Sequence, residues 1–153
     1  TFKEYDELRL APLFADMMAV AFRAARSESA SPEVRSRLRS IDAITHIPAS
    51  VEAYRRRGYD HMELIAAPLA AALDLPHLDA LERVLGRTQK RLGREARALL
   101  ARKTFATVED VSGRRILLVD DVHTTGTTLD HGARVLLDAG ADDVVGMTLA
   151  RVM

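Results

Sequence analysis

Apolar residues at three- and four-residue steps open the chain. Leu10, Leu13, Phe14, Met17, Met18 and Ala21 keep that period, which predicts a helix over residues 6–26 with these side chains as its apolar stripe. Pro12 falls near the first turns, where proline is tolerated. SESASP (27–32) reads as a loop, with Ser31-Pro32 capping and starting a short helix. IDAITHIP (41–48) reads as a buried strand closed by a proline, and ASVEAYRRRG (49–58) as a polar connection. From Asp60 a helix is expected through Leu73, with Leu64, Ile65, Pro68, Leu69 and Leu73 as its apolar face.

Residues 78–85 read as a further strand, TFATV (104–108) as a short one, and 111–114 as a turn around Gly113. The clearest strand is 116–119. The clearest helix is 127–139, with Leu129, Ala133, Leu136 and Leu137 on one face and Gly140 in the stop position. DVVGMTLARV (143–152) closes the chain as a strand. Strand, helix and strand in alternation predict an α/β fold with a mainly parallel central sheet flanked by helices. A helical part, 1–40, precedes an α/β core, 41–153, within one domain.

Composition agrees with this picture. A chain of 153 residues, 48% hydrophobic and 29% charged, suits one soluble domain with a real core. No apolar run approaches the roughly 18 residues of a membrane span. The opening residues Thr1 to Asp6 lack a signal-peptide pattern. Cysteine is absent, which excludes disulfides, thiol catalysis and cysteine zinc sites, and makes the cytoplasm the expected location.

The formal net charge is zero, so bulk charge does not recruit a polyanion. The distribution is less even. Arg83, Arg87, Lys90, Arg91, Arg94, Arg97, Arg102 and Lys103 face only Glu95 between positions 83 and 103, and arginine outnumbers lysine nineteen to three. Arginine's planar fork suits phosphate.

The chemistry concentrates in RRILLVDDVHTTGTTLDHG (114–132). In an open parallel sheet, ligands bind beyond the carboxyl ends of the strands. Asp120 and Asp121 are expected at that end, and the turn after them leads into a helix. Unpaired backbone N–H groups and the helix dipole favour an anion there. Gly126 admits close approach, and Thr124, Thr125, Thr127 and Thr128 add hydroxyl donors. Carboxylates repel phosphate, so they need sugar hydroxyls or a hydrated divalent cation. Phosphate, sugar hydroxyls and Mg²⁺ together describe a phosphoribosyl ligand.

Other readings of the stretch fit less well. A receiver domain needs a lysine well downstream, and none follows Asp121. A P-loop needs G-x-x-x-x-G-K-[ST], which the chain lacks. A threonine-capped helix beside solvated aspartates explains one threonine and leaves the rest.

ILLVDDVHTTGTTL resembles the phosphoribosyl-pyrophosphate (PRPP) motif of type I phosphoribosyltransferases. The resemblance implies that Asp120 and Asp121 hold the ribose hydroxyls and that Thr124, Thr125, Gly126, Thr127 and Thr128 wrap the 5′-phosphate. IPASVEAYRRRGYDHMELIAAPLAAALDLP and RTQKRLGREARALLARKTF resemble, in order and spacing, two further blocks of the ComF branch, a group of competence-associated phosphoribosyltransferase-like proteins. The chain departs from that branch at Asp60-His61, where Asn-Gln is usual, at Leu100, and in lacking the N-terminal Cys₄ zinc ribbon, so no zinc is expected.

By the same resemblance, Ala49, Ser50 and Val51 fall on the pyrophosphate loop, with Arg55, Arg56 and Arg57 within reach of it. Arg87, Lys90 and Arg91 fall on a lid. His123 sits at a variable position of the motif, and His46, His61, His77 and His131 show no metal-ligand spacing. The implied reaction is displacement of pyrophosphate from PRPP by a nitrogen nucleophile, with Mg²⁺ as cofactor and Asp120 and Asp121 as catalytic residues. The alternative is a catalytically silent module acting in single-stranded DNA uptake, with DNA or the competence translocation machinery as partner. A homodimer is expected from the family alone.

Overall fold

The computed structural model describes residues 2–28, 31–84, 105–123 and 126–151. Among these residues ten elements follow one another: α1 (Phe2–Glu28), α2 (Pro32–Arg39), β1 (Ala43–His46), α3 (Val51–Arg57), α4 (His61–Ala72), β2 (Leu81–Arg83), β3 (Phe105–Thr107), β4 (Arg115–His123), α5 (Thr127–Asp138) and β5 (Asp143–Arg151). The α/β class is as the alternating pattern predicts.

β4 is the centre of a three-stranded sheet in the order β1-β4-β5, and both pairings are parallel. Its alternation sorts the core. Ile116 and Leu118 pack with Ile47, Leu81, Phe105, Leu129 and Leu136 on the α5 face. Leu117 and Val119 pack with Met18, Phe22, Met62, Ile65 and Leu69 on the α1–α4 face. A strand covered on both faces must be apolar at every position, which is why ILLV reads as a continuous run. The segment after α4 lies along β1, where Leu78 N–H donates to Ile44 at 2.8 Å and Ile44 N–H donates to Pro76 at 3.0 Å. β2 and β3 form a separate antiparallel pair.

Four expectations need correction. Residues 49–58 are not a plain connection, because Val51–Arg57 is a helix. The Ser50 hydroxyl accepts from Ala53 N–H at 3.1 Å, and Gly58 ends the helix at φ +81°. None of its residues is buried, so no apolar period announced it. The strand expected to end at Val119 runs to His123, because β5 continues the ladder with Asp120 opposite Thr148 and His123 opposite Arg151. The stripe on α1 is also rotated. Ala11, Ala15, Met18, Ala19 and Phe22 are buried, while Leu10, Leu13 and Met17 are exposed. Three alanines on the inner face let α1 lie close to α4. On α5, Leu129 and Leu136 are buried as expected, but Leu137 is turned outward.

Candidate functional site

The acid pair sits inside the β4 ladder, so its two side chains inherit the strand's alternation. Asp120 follows Ile116 and Leu118 to the α5 face, where Arg83 of β2 supplies the nearby positive charge. Asp121 follows Leu117 and Val119 to the α4 face, where His61 meets it. The Asp120 carboxylate also accepts the Asp121 backbone N–H at 2.9 Å. Burial pushes the Asp120 carboxyl up to about 6, and the neighbouring Asp121 charge adds to the rise, against the pull of that N–H.

Asp121 belongs to a short chain of polar contacts. Arg57 lies 2.7 Å from His61 Nδ1, and His61 Nε2 lies 2.9 Å from Asp121 Oδ2. A guanidinium only donates, so Nδ1 must accept and the ring proton sits on Nε2, where it is donated to Asp121. Gly58 makes this geometry possible by turning the chain between Arg57 and α4.

The loop after β1 is held from both sides. Arg83 Nε donates to the Pro48 carbonyl at 2.8 Å, with its guanidinium 4.9 Å above the Phe105 ring. Ala49 N–H donates to Asp60 Oδ2 at 2.9 Å, while Asp60 Oδ1 caps α4 by accepting from Met62 N–H at 3.0 Å. Burial would raise the Asp60 carboxyl, but His46 and these two N–H groups outweigh it and hold it down at about 2. His46 Nε2 stands 3.5 Å from Asp60, and its Nδ1 is 3.1 Å from His77 Nε2.

Between this loop and the acids lies a cleft of about 310 Å³. Ala49, Ser50, Arg57, Asp120, Asp121 and Thr128 line it, so six of the expected residues converge. Gly126 is buried, lies at φ +78° and serves as N-cap of α5 with no side-chain cap bond. Thr127 begins that helix. The N-cap glycine thus places no side chain of its own over the first N–H groups of the helix, as an anion site requires.

Val51 and Arg55 instead line a neighbouring cavity of about 560 Å³ across the loop. Arg56 is exposed on α3 and lines neither space. Thr124, Thr125, Arg87, Lys90 and Arg91 lie outside the described residues.

Sequence reasoning passed over His61, Asp60 and Arg83 as parts of the site. The available signal was the substitution of Asp-His for the usual Asn-Gln at 60–61, which places two titratable groups at the start of a helix. Among the described residues, no three His, Asp or Glu side chains gather into a metal-binding group.

The model of the phosphoribosyl transferase domain family matches residues 63–152. The competence protein ComFC of Streptococcus pneumoniae (strain ATCC BAA-255 / R6) is 32% identical over 105 residues, covering 69% of this chain and 46% of that protein. The DNA utilization protein YhgH of Escherichia coli (strain K12) is 32% identical over 114 residues, covering 73% of this chain and 50% of that protein. The chain thus spans about half the length of these relatives. Among solved structures, glutamine PRPP amidotransferase from B. subtilis superposes with a TM-score of 0.55 at 24% identity, over 94% of this chain and 26% of that one. At that identity the likeness concerns the fold. No helix among the described residues is long and apolar enough to cross a membrane.

Proposed function

Because the chain belongs to the phosphoribosyl transferase domain family, in its ComF-like branch, we propose that its cleft binds PRPP and that the protein serves the uptake or use of DNA. The observation that carries the first part is the convergence of Asp120, Asp121, the Ala49–Ser50 loop and the start of α5 on one cleft. Ribose hydroxyls would take the acid pair, the 5′-phosphate the start of α5, and the pyrophosphate the Ala49–Ser50 loop beside Arg57. Mg²⁺, bound with the ligand, would neutralise the pyrophosphate oxygens.

In turnover, a nitrogen nucleophile displaces pyrophosphate from the anomeric carbon. The chain's contribution is orientation and charge. The carboxylates fix the ribose and stabilise the positive character that develops on it, while the loop holds the leaving group. A crystal soaked with PRPP and Mg²⁺ tests the assignment. Ribose density on Asp120 and Asp121 supports it, and a ligand bound elsewhere overturns it.

The second part rests on the relatives' names, which speak of competence and DNA utilization. Arg55 and Arg56, exposed on α3, offer phosphate contacts, and such contacts weaken steeply with salt. Filter binding of a single-stranded oligonucleotide tests this part. Retention that falls with salt supports it, and no retention at low salt rejects it.

A further inference from the structure

A second, smaller cavity of about 150 Å³ meets the cleft at His61 and Asp121, which line both spaces. It lies between α1, α4 and the end of β5. Phe14, Tyr59, Leu64 and Leu149 form its walls. Buried Ala11 and Ile65 complete its lining. We propose that this slot receives the nitrogen acceptor, and that the acceptor is a neutral, flat, single-ring heterocycle bearing a ring N–H. The proposal rests on the PRPP reading of the adjoining cleft.

Position favours this slot over the larger cavity. The 560 Å³ cavity touches neither Asp120 nor Asp121 and lies across the Ala49 loop assigned to pyrophosphate. The slot instead opens at the carboxylate assigned to the ribose. Size sets the ligand class, because an apolar cavity of about 150 Å³ holds one benzene-sized ring. Shape points the same way, with two aromatic and two leucine walls suited to a flat ring.

Charge sets the rest. Among the described residues, Asp121 is the only acid in the lining and no lysine or arginine shares it, so a ring carrying its own carboxylate would be repelled. A ring N–H has an acceptor in Asp121, whose orientation His61 fixes. In the transfer step, the ring nitrogen bonds the anomeric carbon and the bond from that carbon to the pyrophosphate oxygen breaks. The electron pair leaves with pyrophosphate, and the ring proton passes to the Asp121 carboxylate.

Ligand-observed NMR on the full chain, with PRPP and Mg²⁺ present and PRPP binding measured separately by calorimetry, tests the slot. The probes are uracil, its carboxylated analogue orotate, and the two-ring hypoxanthine. Uracil is expected to bind about tenfold tighter than either of the others. Leu64→Trp, at the rim of the slot, is expected to abolish the uracil signal while the PRPP heat persists. Equal or better binding of orotate or hypoxanthine to the wild type overturns the proposal without recourse to any variant. So does a uracil signal unchanged in a folded Leu64→Trp protein. PRPP heat without any uracil signal overturns the slot alone, whereas absence of PRPP heat overturns the reading beneath it.

Discussion

His61 at the start of α4 donates a 2.9 Å hydrogen bond to Asp121 on β4, joining two residues sixty positions apart at the mouth of the cleft. Hydrogen bonds to charged groups contribute about 1.5–3 kcal/mol. His61→Ala removes this donor from the carboxylate, and PRPP affinity should fall about tenfold, as read by calorimetry. His61→Gln keeps one donor for Asp121 and one acceptor for Arg57, and should recover most of that loss. Equal loss in both variants would mean that the imidazole contributes bulk rather than a hydrogen bond.

Asp120 should cost the protein stability at neutral pH. Its carboxyl sits at about 6 in the fold, above the usual range, because it is buried beside a like charge. Protonation therefore favours the folded state below that range, and the benefit is lost as pH rises through about 6. Asp120→Asn should gain about 1 kcal/mol at pH 7, after allowing for its partial exposure to solvent. That corresponds to a rise in Tm of about 2–4 °C. The gain should shrink between pH 6 and 4, and a variant that melts lower than wild type at pH 7 would refute the assignment.

Asp60 acts in the opposite sense. Its carboxyl is held at about 2 by His46 and two backbone donors, so the stabilisation is full above the ordinary carboxylate range and is lost as pH falls through about 2. Asp60→Ala removes the α4 cap and the acceptor for Ala49 N–H, and should cost about 1–2 kcal/mol at pH 7. Thermal melts from pH 7 down to pH 2 should show the gap between variant and wild type closing in acid. A gap that is constant with pH would contradict this role.

Gly132 lets α5 approach the end of β1. A Cβ there would stand 2.6 Å from Ile47 Cδ1 and 3.2 Å from Leu118 Cδ2. Overpacking costs about 1–3 kcal/mol, against about 1 kcal/mol gained in helix propensity. Gly132→Ala should therefore lower Tm by about 2–4 °C. It should also weaken PRPP binding, since Ile47 leads directly into the Pro48–Ala49 loop. An unchanged or higher Tm would show that Ile47 yields without strain.

Much of this was legible in the chain. The ILLV run and the Gly140 stop each carry a local physical cause, so the apolar part of β4 and the extent of α5 could be read directly. α3 could not be read from periodicity, because it buries nothing. Ser50 and Gly58 were its only signals. The α1 stripe was misplaced because two apolar stripes compete on that helix, and the alanine-rich one won by allowing close packing on α4. The extension of β4 through Asp120 and Asp121 was hidden because the acids interrupt the apolar pattern, while the ladder that fixes them comes from β5. The His61–Asp121 bond is a tertiary contact, with no counterpart in local sequence.

Calorimetric titration of PRPP with Mg²⁺ into wild type and into the Asp120→Asn/Asp121→Asn double variant tests the central claim most directly. A saturable heat is expected in the wild type, with an affinity reduced by about a hundredfold or more in the variant. Equal heats in the two proteins, or none in the wild type, would contradict it.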